Sequence, residues 1–281
     1  MPAQQQAVDV RRDTMKFVYT LMILLASATY GQKENWDVYM AQYEKGPGST
    51  VLDMSLKESS NKDHFRFLLV AGVKFNDCDQ DGLPTEKQFP ILYSISDSVK
   101  TVIDKNKTNI LAGTFTYQCE RSDYYYISDT INIRELLLKL NTERFKNFTF
   151  TIRIKEDPKW EAYLKFLYPN DETLEFMSDS KVVAALTEQG DKLEKPRKVD
   201  HWIYFNNEQD RNCFLTYANQ NKFKIESKEK IKGKIKAYSL QISRNDKVDL
   251  SEISKITKEL RQNAKKCNGD YDGWEIFVIK N

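Results

Sequence analysis

Histidine is nearly absent: the chain has two, His64 and His201, in different halves. Two residues so far apart exclude a multi-histidine metal centre. Neither pairs with a cysteine or a serine in any recognisable catalytic signature, and no serine sits in a G-x-S-x-G elbow. Asp200 and His201 are sequence neighbours, and neighbours on a strand point to opposite faces, so they form no direct dyad. The four cysteines have neither a C-x-x-C spacing nor a zinc pattern. Ten Gly and seven Pro in 281 residues are too few for long disordered or collagen-like tracts. Apart from one segment near the start, no apolar run approaches the ~18 residues of a membrane span. Paired carboxylates leave no spacing signature, so chemistry by acids alone is not touched by these absences.

What is present is apolar and aromatic. Forty per cent of the residues are hydrophobic, with 15 Phe and 15 Tyr, enough for one large core or two ordinary ones. The charge is uneven: from Glu194 onward 19 Lys and Arg face 13 Asp and Glu, against a chain total of +2. Near the N-terminus Lys16 opens the apolar stretch Phe17 to Ala28, with small residues Ala26 and Ala28 behind it. That length suits the core of an export signal and falls short of a bilayer span. Residues 1–31 therefore read as a signal peptide, with Met15 an alternative start to Met1. The expected location is periplasmic or secreted. In such a compartment four cysteines can form two disulfides. Cys78 with Cys119 is a candidate pair. Cys213 with Cys267 is not expected, because the two helices that carry them are taken to run parallel.

The pattern predicts an α+β protein of two domains, 32–170 and 171–281. In the first, strand, Gly-Pro-Gly turn and strand precede a central strand within His64 to Phe75. A helical stripe follows at Phe89, Leu92, Ile95, Val99 and Ile103. Next come a hairpin, a helix capped at Asn132, and a strand alternating at Phe148, Phe150, Ile152 and Ile154. A short helix carries Trp160, Tyr163, Leu164 and Leu167. The expected architecture is an antiparallel sheet with helices on one face, open to being a ferredoxin-like variant. After a turn-rich boundary at Pro169 to Asp179 and a helix over Ser180 to Gln189, the order becomes strand, helix, two strands, helix, strand. That is the ferredoxin-like βαββαβ sandwich.

Three stretches carry a resemblance: VDHWIYF, then DRNCF on the next helix, then GDYDGWEIFVI, of which Tyr271 to Trp274 is the most specific part. The second half resembles the regulator of ribonuclease E activity B (RraB) family over about Ser178 to Lys280. The resemblance implies a ferredoxin-like fold and a module that works by binding; known members bind and inhibit a cytoplasmic ribonuclease without catalysis. This chain departs from that pattern in its leader and its basic C-terminal segment, so the partner is not carried over. The first half, with DGLP after a strand and a later aromatic hairpin, is similar to the bacterial domain-of-unknown-function family 695.

Several candidate sites follow. Asp77, Asp79 and Asp81 before Gly82 match the opening of a calcium loop, but Gln88 stands where the bidentate Glu belongs, so a tight acidic turn competes with weak calcium binding. Trp202 and Tyr204 share one face of their strand. With Trp274 on the last strand they could present aromatics to a partner, on the sheet face that helices leave uncovered; the competing reading is a covered core face. No nucleic acid is expected, since no RNP-type pattern occurs. Lys230, Lys232 and Lys234, with Lys228 and Lys236, alternate around Gly233 and would line up on a hairpin, either steering an acidic partner or protecting an edge. The leading functional reading is an exported, non-enzymatic protein-binding or regulatory module of unknown partner, with no cofactor. The alternatives are an envelope hydrolase using carboxylates of the first domain and a calcium-stabilised structural module.

Overall fold

The computed structural model describes residues 33–59, 62–233 and 236–279; the leader lies outside them. Glu34–Asn281 forms one compact unit holding two antiparallel sheets. The first sheet has six strands: β1 (Trp36–Tyr43), β2 (Gly46–Asp53), β3 (Phe67–Lys74), β4 (Asn109–Tyr117), β5 (Glu120–Ile127) and β6 (Thr149–Glu156). Helix α1 (Phe89–Asn106) follows β3, and α2 (Ile133–Arg144) follows β5. The spatial order is β1-β2-β4-β5-β3-β6. Without the β1–β2 hairpin this is a βαββαβ unit in the order fourth, first, third, second, so the first domain is itself a ferredoxin-like variant. The Gly46-Pro47-Gly48 segment expected as the turn lies inside β2, and Tyr43 pairs with Gly46. The turn is therefore Glu44-Lys45. Gly48 is needed in the strand, because a Cβ there would meet the rings of Tyr43 and Phe115 at 2.8 and 2.9 Å.

Strands β3 and β5 lie inside the sheet, with both faces covered. Leu69, Ala71, Val73, Tyr125 and Ile127 pack against Leu92, Ile95, Val99 and Ile103 of α1 and Ile133, Leu137 and Leu140 of α2. Each such burial contributes about 2 kcal/mol. Asn132 does not cap α2: it takes a left-handed φ of 56° and its side chain makes no cap bond. The opposite face buries Leu68, Val70, Tyr124 and Tyr126 under Trp160, Tyr163 and Leu167. The short helix expected there is a π-helix, Ala162–Leu167, closed by a Tyr168 N–H to Tyr163 C=O bond of 2.7 Å. The wider turn leaves Leu164 exposed rather than in the expected stripe. Asp157 anchors the segment. Its carboxylate accepts from the Glu161 and Ala162 N–H groups at 2.8 and 2.9 Å and from the Tyr126 hydroxyl at 2.7 Å. Trp160 stacks on Tyr126 with 3.8 Å between ring centroids.

The second sheet contains β7 (Arg197–Phe205), β8 (Lys224–Lys230), β9 (Tyr238–Asp246) and β10 (Gly269–Glu275), in the order β10-β7-β9-β8. Helix α3 (Asp171–Glu188) precedes it, α4 (Glu208–Gln220) follows β7 and α5 (Leu250–Lys266) follows β9. This is the expected ferredoxin-like sandwich. Ile203, Phe205, Leu240 and Ile242 meet Phe214, Ala218, Leu260 and Ala264 in its core. Helix α3 begins nine residues before the expected Ser180, inside what reads as a polar boundary. Asn170 caps it by accepting from the Thr173 N–H at 2.9 Å, and Asp171 and Glu172 favour the positive end of its dipole.

Both cysteine pairs are joined. Cys78–Cys119 has Cα atoms 5.8 Å apart and Cys213–Cys267 5.7 Å. The second bond overturns the expectation. β7 and β9 are antiparallel neighbours, and each helix reverses the direction of the strand before it. So α4 and α5 run antiparallel, and the start of α4 meets the end of α5. Asn268 donating to Asp210 at 3.1 Å marks the same junction.

Candidate functional site: the open face of the second sheet

Helices α3, α4 and α5 all pack on one side of the second sheet. Odd-numbered positions of β7 (Val199, His201, Ile203 and Phe205) point to that side and are buried. Trp202 and Tyr204 alternate with them and are half-buried on the other side. The register puts Trp202 in a row with Gln241 and Gly273, and Tyr204 in a row with Ser239 and Asp270. Among the described residues neither side chain joins a buried core cluster. Burial, then Asp272, raises the Tyr204 phenol above its usual range, so it is neutral.

Charges at one end of this face are already paired. Lys198 lies 2.9 Å from Asp200 and 3.2 Å from Glu226, and Gln241 donates to Asp200 at 3.2 Å. Ser243 donates to Glu226 at 2.7 Å. That bond, then Lys224 at 3.0 Å, holds the Glu226 carboxyl down to about 2. At the other end Lys236 pairs with Asp270. The arrangement is an aromatic centre flanked by paired charges.

Trp274 does not join Trp202 and Tyr204. A bulge at Asp272, with Gly273 at φ 147°, shifts the register by one residue. Trp274 therefore pairs with His201 and faces the helices. Its indole N–H donates to Asp179 at 2.9 Å, and its ring joins Val183, Val199, Val248 and Ile253. The last strand also begins four residues before the expected GWEIFVIK run, and Phe277 beyond it is exposed. Tyr271, on the helix side, pairs its hydroxyl with His201 Nδ1 at 2.8 Å. The Tyr271 to Trp274 stretch is thus a core lock that fixes β10 and α3.

Lys230 and Lys232 do not share a strand. Lys230, the end of β8, pairs with Tyr238 and lies 5.1 Å from its ring, on the helix side. Lys232 is exposed in the connecting turn, and Lys234 lies outside the described residues. In the first domain the three aspartates build a turn. Asp79 accepts from the Asp81 and Leu83 N–H groups, both at 2.9 Å, and Asp77 accepts from Thr85 at 2.8 Å. Gly82 takes a φ of 77°. Among the described residues these aspartates do not gather into a group that could hold a metal ion, so they do not fit a calcium site.

Sequence reasoning missed a groove of about 660 Å³ between β1, α3 and α5. Its walls are tied together: Glu172 to Lys258 at 2.5 Å, Glu175 to Arg261 at 3.6 Å, and buried Asp179 to Thr257 at 2.5 Å. The signal for it lay in the acidic face of α3, in residues taken for a linker.

Two family models match. Residues 34–168 match the family of unknown function DUF695, and residues 177–276 match the regulator of ribonuclease activity B, RraB. The two matches lie in tandem along the chain. Trp202 and Tyr204 lie within the segment that matches RraB. Two solved structures are similar at low identity. One, described as a candidate glycine cleavage system transcriptional repressor, is 12% identical over 77% of this chain and 98% of its own, with a TM-score of 0.23. The other, an unknown protein from Galdieria sulphuraria, is 8% identical over 76% and 99%, with a TM-score of 0.20. Neither likeness bears on function. No curated protein matches the chain. Among the described residues no helix is long and apolar enough to cross a membrane.

Proposed function

We propose that this chain is an exported, non-enzymatic regulatory module whose RraB domain docks a protein partner on its open sheet face. The observation that carries the reading is the half-buried pair Trp202 and Tyr204 on the side of the sheet opposite α3, α4 and α5. Aromatic side chains supply large contact area at low entropic cost and dominate protein interfaces. Exposed Lys232, in the turn beyond β8, would steer an acidic partner. The matched family, whose name denotes a regulator, supports action by binding. Export is supported by the apolar leader and by two disulfides, which persist outside reducing compartments. The test is photo-crosslinking in an envelope extract from a benzophenone amino acid at Tyr204, compared with one at exposed Leu138. The expected result is a discrete adduct from position 204 only, weakened by Trp202→Ala and by Lys232→Glu. Equal labelling from both positions, or labelling indifferent to both changes, would refute it.

A further inference from the structure

The first domain holds an independent cavity, of about 380 Å³, on the sheet face that carries the π-helix. Leu68, Val70 and Tyr124 form its floor, and Ala162 and Phe166 one wall. Arg153 and Lys155 stand at its mouth. They alternate on β6 with Ile152 and Ile154, which pack with the opposite core. Two cations thus sit two residues apart on one strand, beside apolar walls. Arg153 is 3.9 Å from Glu120, and no carboxylate pairs with Lys155 among the described residues. Burial pushes the Tyr124 phenol up to about 12, so it adds no negative charge.

The wall is costly to build. Trp160 has a φ of 54°, and Tyr168 N–H closes an i to i+5 bond on Tyr163. Single π turns and left-handed non-glycine residues persist where surrounding structure over-determines them, and they concentrate at functional sites. Here the support is the Asp157 carboxylate, and the product is Phe166 held edge-on to Phe115 with 4.9 Å between centroids, and over Tyr124. The phenyl group is left 38% exposed at the cavity.

The geometry points to a binding site for a small organic carboxylate with an apolar body, an aromatic ring or a short chain. The body would lie on Leu68, Val70 and Phe166, and the carboxylate would meet Arg153 and Lys155. The volume is that of a small-molecule pocket. A peptide adding as a strand along β6 is disfavoured, because Arg134 donates to the Ile152 carbonyl at 2.8 Å and blocks that edge. The site is separate from the face assigned to the RraB domain and stands or falls without it.

Calorimetric titration of the full chain with 2-naphthoate, and with its neutral analogue 2-naphthamide, tests the assignment. Naphthoate is expected to bind saturably at one site, about tenfold or more tighter than the amide, as a charge-assisted contact requires. Arg153→Gln with Lys155→Gln should weaken naphthoate to the level of the amide and leave the amide unchanged. Phe166→Leu should weaken both, and Lys139→Gln on exposed α2 neither. No saturable naphthoate binding up to about 10 mM, equal affinity for the amide, or full binding by the doubly neutralised variant would each overturn it.

Discussion

His201 makes the second domain acid-labile by a calculable amount. Its ring is fully buried between the sheet and the helices, edge-on to Phe223. Nδ1 meets the Tyr271 hydroxyl, and Nε2 has no hydrogen-bond partner among the described residues. Burial first, and the nearby Arg244 second, depress its pKa from 6.5 to about 3. Above pH 6.5 the imidazole is neutral in both folded and unfolded chains, and its contribution to stability is whole. Below 6.5 the unfolded chain takes up a proton that the folded chain refuses until about pH 3. Stability then falls by about 1.4 kcal/mol per pH unit, or about 2 kcal/mol by pH 5. Urea unfolding between pH 7.5 and 5, followed by tryptophan fluorescence, reads this slope. The window stays above the range in which carboxylates titrate. His201→Phe is expected to be less stable at neutral pH, with the Tyr271 hydroxyl unpaired, but to lose the slope. His64→Gln, at an exposed position, should keep it. Parallel pH profiles for wild type and His201→Phe would show that the ring is solvated and the burial argument wrong.

Two further outcomes follow from buried bonds. Replacing Cys213 and Cys267 together by serine opens a loop of 54 residues and should cost about 4 kcal/mol by the chain-entropy estimate; an unchanged urea midpoint would mean the thiols are not joined. Asp191 holds buried Arg197 through both carboxylate oxygens and accepts from the Leu193 and Ile279 N–H groups at 2.8 and 2.9 Å. The guanidinium keeps its carboxyl well below the usual range, so the contribution is present above pH 3.8 and is lost only in stronger acid. Asp191→Ala strands the Arg197 charge and should cost about 3–5 kcal/mol at neutral pH; a loss under about 1 kcal/mol would refute that.

Local periodicity was readable and register was not. The stripe of Leu250, Ile253, Ile256 and Leu260 on α5 needs only a 3.6-residue repeat, and those residues pack inward as read. The alternation of β7 likewise separates Trp202 from His201 without any knowledge of neighbours. Trp274 fails the same treatment, because one unpaired residue, Asp272, turns every later side chain to the other face. The lysine alternation fails for a related reason: β8 ends at Lys230, and exposed Lys232 lies in the turn beyond it. Cys213 and Cys267 needed the relative direction of two helices, which follows from strand pairing and not from either helix.

The two domains follow the same βαββαβ path, and each leaves one sheet face without its two crossing helices. The first domain covers much of that face with the Trp160 to Leu167 segment, at the cost of a left-handed tryptophan and a widened turn. Among the described residues the second domain has no counterpart of that segment. Its extra element, α3, instead packs on the helix side through Val183 and Asp179. The proposed docking surface is the corresponding face of the second domain, with Trp202 and Tyr204 half-buried on it. If that surface were incidental, any labelling from a neighbouring position such as Gln241 would be indifferent to Trp202→Ser with Tyr204→Ser. If it serves docking, the crosslink is lost while the variant still unfolds cooperatively in urea, and the difference between these two results decides the matter.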